Sequence, residues 1–233
     1  MLRFTGLLKR YLVVAVLGFA GAFIFISSNS AKCANSLVGD LQSQSEKTEN
    51  IINQFRSQLS QLPAFEMGFS MNYDGQVSVG TVQAQKDFYR MDNKDLSLYC
   101  DGDTKWIYNV ANNEVIILKN DLSQVDLLEN PLAFFYSLGK GYSYPEKVKS
   151  SNVNKVPVWV VDLFPINKRL GYSKISLMID KRNYSPVRIV YVMKSGEVVT
   201  VDITSFTEKK PWEKDHFRFD TAKHNGLRVS DMR

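Results

Sequence analysis

The sequence predicts a mainly β fold of the α+β class, in which one curved antiparallel sheet is accompanied by a few helices. Three observations predict it. An amphipathic helical stripe ends before Pro63. Short segments with alternating apolar and polar residues then follow one another along most of the remaining chain. Turn residues such as Asp74-Gly75 and Ser195-Gly196 separate these segments, as expected for strands joined by hairpins.

The first part of the chain has the layout of a secretory signal peptide. Three basic residues precede an uncharged apolar run from Tyr11 to Ile26, and small polar residues follow it. A membrane-spanning helix usually needs about 20 apolar residues, so this run favours a cleaved signal over an uncleaved anchor, which remains the alternative. We therefore expect an exported, soluble protein.

The expected cleavage site follows Cys33, because Ala31 then stands at position −3. Lys32 directly before Cys33 is unlike a lipid-attachment signal, in which a small residue normally precedes the cysteine. This cleavage divides the chain into a signal peptide at residues 1–33 and one domain at residues 34–233. Cys100 is then the only cysteine of the mature protein, so no internal disulfide is expected.

Composition excludes some classes of function. The formal charge of +5 includes three basic residues of the signal, so the mature chain is too weakly basic to indicate nucleic-acid binding. No nucleophile elbow, zinc-protease motif or phosphate-binding glycine loop occurs, and we expect no enzyme activity. His216 and His224 lack partners at metal-ligand spacing, so no metal or other cofactor is expected.

The first predicted element after the signal is a helix at residues 35–62, followed by the clearest strand of the chain. In that strand, apolar residues from Phe65 to Tyr73 alternate with polar residues and glycine. Further strands are predicted at residues 76–83, 88–92, 96–100, 105–109, 114–118, 156–163, 173–180, 186–193 and 197–206. Residues 122–142 instead have helical spacing, interrupted at Asn130-Pro131, which predicts short helices.

A sheet of nine to eleven such strands cannot stay flat, because strand twist makes it curl into a barrel or half-barrel. One face of the sheet is apolar, and two or three helices are available to fill the enclosed space. The pattern leaves open whether the core is fully packed or whether the helices cover a cavity only in part.

Three features together resemble the periplasmic outer-membrane lipoprotein carrier family (LolA-like), in its Bacteroidetes type. A long amphipathic helix directly follows the signal. The stretch Asp101-Gly102-Asp103-Thr104-Lys105-Trp106-Ile107-Tyr108 is similar to a motif of that family. The chain closes with Phe217-Arg218-Phe219-Asp220 and, further on, Gly226 to Arg233, where Asn225 stands in place of a common proline. The resemblance spans nearly the whole mature chain.

The resemblance implies an unclosed half-barrel with an N-terminal helix and short lid helices over an apolar cavity. Such a carrier would take acylated lipoproteins from an inner-membrane lipoprotein-releasing ABC transporter and bring them through the periplasm to the outer membrane. An outer-membrane acceptor is possible, and the carrier is expected to be a monomer. The alternative is a non-catalytic regulator or sensor of the same fold, which binds a lipid or lipoprotein in the cell envelope without transporting it.

The predicted site is a set of apolar residues that would bury the acyl chains of the cargo. The expected cargo-binding residues are Phe65, Met67, Phe69, Met71, Phe88, Trp106, Tyr108, Ile175, Leu177, Ile189 and Tyr191. The expected lid residues are Leu127, Leu128, Leu132 and Phe135, with Gly139 and Gly141 as hinges. For the aromatic residues, ordinary core packing is the alternative.

One departure from the family concerns an arginine that holds the lid. Ala84 occupies that position here, and no proline follows it. Arg90 lies close by in sequence, and we hypothesise that it takes the missing role.

Overall fold

The structure, a computed structural model, describes residues 47–120, 135 and 138–233. In these residues it contains one α-helix, thirteen strands and two 3₁₀ turns. The helix is α1 (Thr48–Gln61). The strands are β1 (Ala64–Tyr73), β2 (Gln76–Gln85), β3 (Phe88–Asn93), β4 (Leu96–Asp101), β5 (Thr104–Asn109), β6 (Glu114–Lys119), β7 (Tyr142–Ser143), β8 (Lys149–Val153), β9 (Val156–Pro165), β10 (Tyr172–Asp180), β11 (Pro186–Met193), β12 (Val198–Lys209) and β13 (Arg228–Asp231).

Several predictions concern residues outside the described ranges. They are the signal peptide and its cleavage site at residues 1–33, the first part of the predicted helix at residues 35–46, and the lid residues Leu127, Leu128 and Leu132. In the described residues, no helix has the length and apolarity needed to cross a membrane.

Helix α1 confirms the helical stripe read from the sequence. It buries Ile51, Ile52, Phe55 and Leu59, which recur on one side of the helix. It ends at Gln61 because Leu62 is extended (φ −74°, ψ 128°), as expected for a residue before proline. At the other end, the Thr48 amide donates to the Glu146 carbonyl at 2.8 Å, which fixes the start of the helix beside the chain that leads into β8.

All thirteen strands belong to one sheet that does not close on itself. The strand order is β13-β6-β5-β4-β3-β2-β1-β12-β11-β10-β9-β7, and β8 also pairs with β9. The outermost strands are therefore edges, which confirms the predicted mainly β fold with an unclosed sheet. Three strands were not predicted: β7 and β8, which both pair with β9, and β13, which pairs with β6 in parallel.

A β-bulge bends the middle of the sheet. The register between β1 and β12 shifts between Gly68 and Phe69, and the Gly68 amide donates to the Ser205 hydroxyl at 3.1 Å. A Cβ atom on Gly68 would lie only 2.6 Å from the Ser205 Oγ. Glycine thus permits a close approach of two strands at a bulge, where strands bend and twist more strongly.

The sheet has two faces, and both carry apolar side chains. We call the face that packs against α1 the inner face and the opposite face the outer face. The main core lies between α1 and the inner face of strands β1 to β6 and β9 to β11. A smaller cluster formed by Val115, Ile117 and Phe219, with four partly buried neighbours, lies on the outer face.

Candidate functional site

Eight of the predicted cargo-binding residues come together on the inner face. Seven are buried in the main core, and the eighth, Met71, is partly buried against it. They are Phe65, Met67, Phe69, Met71, Ile175, Leu177, Ile189 and Tyr191. The structure thus assembles residues from distant parts of the chain into one apolar surface.

Strand register explains this assembly. Leu177 on β10 lies opposite Val161 and Ile189, and Ile189 lies opposite Val201 on β12. Val201 in turn pairs with Met71 on β1. Directly opposed residues share a face in an antiparallel sheet, so this row crosses five strands on the side of α1.

The middle of the inner face is less covered than its flanks. On β12, Val199, Val201, Ile203 and Phe206 pack against the main core but are only partly buried. On the adjacent strands, Ile189 and Met67 are only 2% and 5% exposed. The β12 strip, as we call these four residues, is therefore apolar surface in the centre of a sheet that α1 leaves partly open to solvent.

The β12 strip was not among the predicted cargo-binding residues. The signal was present, because Val199, Val201 and Ile203 alternate with Thr200 and Asp202 as an inner-face strand requires. What the sequence lacks is the strand order, which places β12 in the middle of the sheet rather than at its end.

Polar groups on the inner face are few and mostly satisfied. The hydroxyls of Tyr142 and Tyr172 lie 2.8 Å apart, and the ring of Tyr172 meets that of Tyr191 edge to face at 5.8 Å. Lys105, only 6% exposed, shares this face through its pairing with Cys100. Apart from these tyrosines, Tyr89 and Lys105, most buried side chains of the inner face are apolar.

Trp106 and Tyr108 do not belong to this surface, which corrects the predicted grouping. Their neighbour Ile107 points to the main core, so the period of two places both aromatic residues on the outer face. There the Tyr108 ring lies 5.0 Å from the Phe219 ring and 4.6 Å from the His224 ring. They pack against the C-terminal segment, which reaches the outer face because β13 pairs with β6.

Phe88 also lies on the outer face, since Tyr89 beside it is buried in the main core. Its ring is 5.9 Å from that of Phe217, and Lys214 lies 6.0 Å from the ring centre of Phe88. Phe217 belongs to a 3₁₀ turn (Lys214–Phe217) and is completely buried. The structure therefore gives Phe88 a packing role under the C-terminal segment and does not place it with the inner-face residues.

The hypothesis that Arg90 replaces the lid arginine does not fit its position. The Arg90 Nε donates to Asp92 Oδ2 at 2.6 Å, and the guanidinium lies 4.7 Å from the ring centre of Tyr99. Both partners are on the outer face, whereas Ala84 is buried in the main core. Arg90 is thus bound on the side of the sheet opposite to α1.

Of the predicted lid, Phe135 is described, and it is buried with its ring 5.9 Å from that of Phe55 on α1. The proposed hinges Gly139 and Gly141 have φ of 91° and 74°, a backbone conformation that favours glycine. That these residues belong to a moving lid stays a prediction.

Neither histidine occupies a metal site within the described residues, where no group of three or more potential ligands is arranged around a metal position. His216 stacks on Trp212 with ring centres 5.3 Å apart, and its Nε2 lies 2.6 Å from Gln83 Oε1. Burial and the nearby Arg90 guanidinium lower the pKa of His216. His224 stacks on Phe219, so both imidazoles serve in packing the C-terminal segment.

Cys100 is expected to be unreactive in the folded protein. It is completely buried on the inner face, and burial raises the pKa of its thiol to about 11. At pH 8 only about one thiol in a thousand is then ionised, and the thiolate is the reactive form. In the chain without residues 1–33, we expect a thiol reagent such as Ellman's reagent to react at least about a hundredfold more slowly than in urea. A reaction equally fast in both states would contradict the buried position of Cys100.

The sequence matches one protein-family model, and the fold is similar to that of solved structures. A family model described as "Uncharacterized protein" matches residues 92–212, just over half of the chain. An uncharacterized conserved protein from Thermus thermophilus is similar in structure, with a TM-score of 0.56 and 13% identity over 79% of this chain and 98% of that protein. At this identity the likeness supports the fold alone. None of the curated proteins compared with the sequence matches it.

Two further solved structures are more distant. A LolA superfamily protein from Nitrosomonas europaea has a TM-score of 0.41 and 11% identity over 75% of this chain and 98% of that protein. A domain described as an outer membrane lipoprotein-sorting protein, from Vibrio parahaemolyticus, has a TM-score of 0.41 and 12% identity over 73% and 97% of the two chains. By the match over residues 92–212, the chain belongs to the family of uncharacterized proteins that this model describes.

Proposed function

We propose that this protein is a non-catalytic carrier that binds the acyl chains of lipoproteins against the inner face of its sheet. The observation that carries the proposal is the β12 strip. It is a row of partly buried apolar side chains in the centre of the sheet, and buried core residues such as Met67 and Ile189 lie on the strands at both sides of it. An apolar ligand that covers this row would remove further apolar area from water, which is favourable.

The energetics favour a ligand with long apolar chains. Removing one methylene from water is worth about 0.8 kcal/mol, so even part of an acyl chain supplies several kcal/mol without any polar contact. Met71 and Met193 pack at the margin of the core, and flexible thioether side chains adapt to ligands of varying shape. The inner face thus offers apolar surface area and flexible side chains, and acyl-chain binding requires both.

The finer parts of the proposal come from the sequence resemblance. They are the Bacteroidetes type of the carrier, export with cleavage of the signal peptide, and a periplasmic location. They further include loading from an inner-membrane lipoprotein-releasing transporter, delivery to the outer membrane, and action as a monomer without a cofactor. The short helices predicted at residues 122–142 would act as the lid.

A charge placed in the β12 strip tests the proposal. Val201→Asp is expected to weaken binding of a fluorescent fatty acid by about tenfold or more, because an unpaired carboxylate resists burial under an acyl chain. Thr200→Asp is the matched control, since Thr200 is the neighbouring residue of β12, also partly buried but on the outer face. It is expected to leave binding within about threefold of the unchanged protein.

Thermal unfolding of both variants shows whether a loss of fatty-acid binding is caused by a loss of folded protein. If Val201→Asp fails to fold, Val201→Asn carries the same test with a smaller perturbation. Equal binding by the Val201 and Thr200 variants, or no binding of either a fatty acid or a triacylated lipopeptide to the unchanged protein, would contradict the proposal.

A further inference from the structure

Three segments meet at one end of the sheet and form an exposed surface with an unusual combination of residues. The Ile166 amide donates to the Gly141 carbonyl at 2.9 Å, and the Lys194 amide donates to the Gly171 carbonyl at 2.9 Å. These bonds join the chain before β7, the β9–β10 connection and the turn after β11. We define the β9–β10 rim by the six exposed residues Lys140, Phe164, Ile166, Lys168, Arg169 and Lys194.

Two large apolar side chains of the rim are exposed. Ile166 is 65% exposed and Phe164 is 38% exposed, although Leu163 and Pro165 beside Phe164 are buried. The adjacent backbone is held in place, since Phe164 pairs with Ser143 and the Ser143 hydroxyl donates to the Phe164 carbonyl at 3.5 Å. The two apolar side chains thus project from a backbone that strand pairing fixes.

The other four residues of the rim are basic, and their charges are not neutralised locally. None of the four forms an ion pair with a carboxylate of the residues that the structure describes. The Lys168 ammonium donates to the Pro165 carbonyl at 3.1 Å, and the Lys194 ammonium donates to the Lys168 carbonyl. These contacts hold both ammonium groups at the β9–β10 connection, and the neutral carbonyl groups do not neutralise their charge.

Two acidic residues of the described part of the chain, Glu197 and Asp74, lie on turns near the rim without forming an ion pair with its basic residues. Glu197 accepts hydrogen bonds from the hydroxyls of Tyr73 and Ser195, both at 2.6 Å. Asp74 is on the β1–β2 turn next to the start of β12. The β9–β10 connection itself, residues 166–171, contains one lysine, one arginine and no acidic residue.

We propose that the β9–β10 rim docks the protein on the anionic surface of a lipid bilayer. Phe164 and Ile166 enter the headgroup region, and the four basic side chains lie beside lipid phosphates. Charge complementarity selects this partner, because exposed apolar anchors surrounded by uncompensated basic groups match a surface that is negative outside and apolar beneath. This goes beyond the proposed carriage of acyl chains and uses residues separate from the β12 strip.

Flotation of the chain without residues 1–33 with lipid vesicles tests the proposal. We expect binding to vesicles of phosphatidylcholine that contain about one-third phosphatidylglycerol, weak binding to phosphatidylcholine alone, and a marked decrease with added salt. The triple variant Lys168→Gln, Arg169→Gln, Lys194→Gln should bind up to about a hundredfold more weakly, at about fivefold for each charge near the surface. Ile166→Ser should also reduce binding, at unchanged net charge, because it removes one apolar anchor.

The matched control removes the same total charge elsewhere. Lys94, Lys119 and Lys210 are exposed and form no ion pair among the described residues, so their triple change to glutamine should alter vesicle binding less than about threefold. Three results would overturn the proposal: an equal loss of vesicle binding in both triple variants, vesicle binding that does not depend on phosphatidylglycerol, or no vesicle binding at all. Fatty-acid binding measured on the same proteins is expected to be unchanged, so failure of the docking proposal is distinguishable from failure of the carrier proposal.

Discussion

Phe55→Ala is expected to lower the free energy of unfolding by about 3–5 kcal/mol. Phe55 is completely buried at the centre of α1, and its ring lies 5.9 Å from that of Phe135. The substitution removes most of a large side chain from a core that joins the helix to the inner face, and the surrounding strands can close the resulting cavity only in part.

Urea unfolding of the Phe55 variant measures the effect, with Gln58→Ala as control. Gln58 lies on the exposed side of the same helix, and its replacement should change stability by less than about 0.5 kcal/mol. A loss below about 1 kcal/mol for Phe55→Ala would mean that α1 is not anchored on the inner face. The structural basis of the binding site would then be lost as well.

Phe217→Ala is the second substitution with a large expected effect, a loss of about 3–5 kcal/mol. Phe217 is fully buried on the outer face, and its ring lies within 6.0 Å of those of Phe88, Trp212 and His216. Its loss leaves a cavity under the C-terminal segment and weakens the cover over β3 to β6.

The same urea measurement applies to Phe217, with Met232→Ala as control because Met232 is 48% exposed. We expect less than about 0.5 kcal/mol for the control. If Phe217→Ala costs no more than Met232→Ala, then residues 212–231 do not contribute to the core in the way that the structure indicates.

The sequence predicted the inner face well because one alternation dominates it. In β1, Phe65, Met67, Phe69 and Met71 face the core at a strict period of two, and Pro63 marks the end of α1 in the same way. Hairpin turns were also predictable, since Gly102 and Gly196 have the positive φ that the turns require. These features depend on neighbouring residues only, and such local signals can be read without knowing the fold.

The outer face was predicted poorly because its cover comes from a distant part of the chain. Trp106 and Tyr108 alternate as expected, but a period of two cannot tell which side of the sheet meets the helix. One signal was available: Val115-Ile116-Ile117-Leu118 is an unbroken apolar run, which is typical of a strand buried on both faces. The parallel pairing of Arg228 to Asp231 with β6 has no comparable local signal, so the C-terminal cover could not be foreseen.

Native mass spectrometry of the protein purified from the cells that produce it tests the central claim most directly. The account predicts a mature chain with a triacylated lipoprotein bound, which dissociates on activation and can be identified by its mass. If a free fatty acid or phospholipid is bound instead, the apolar binding site is supported, but the cargo is a general lipid and not a lipoprotein. A protein without bound ligand that also fails to extract lipoproteins from membranes would contradict the carrier account and favour a regulator with a packed core.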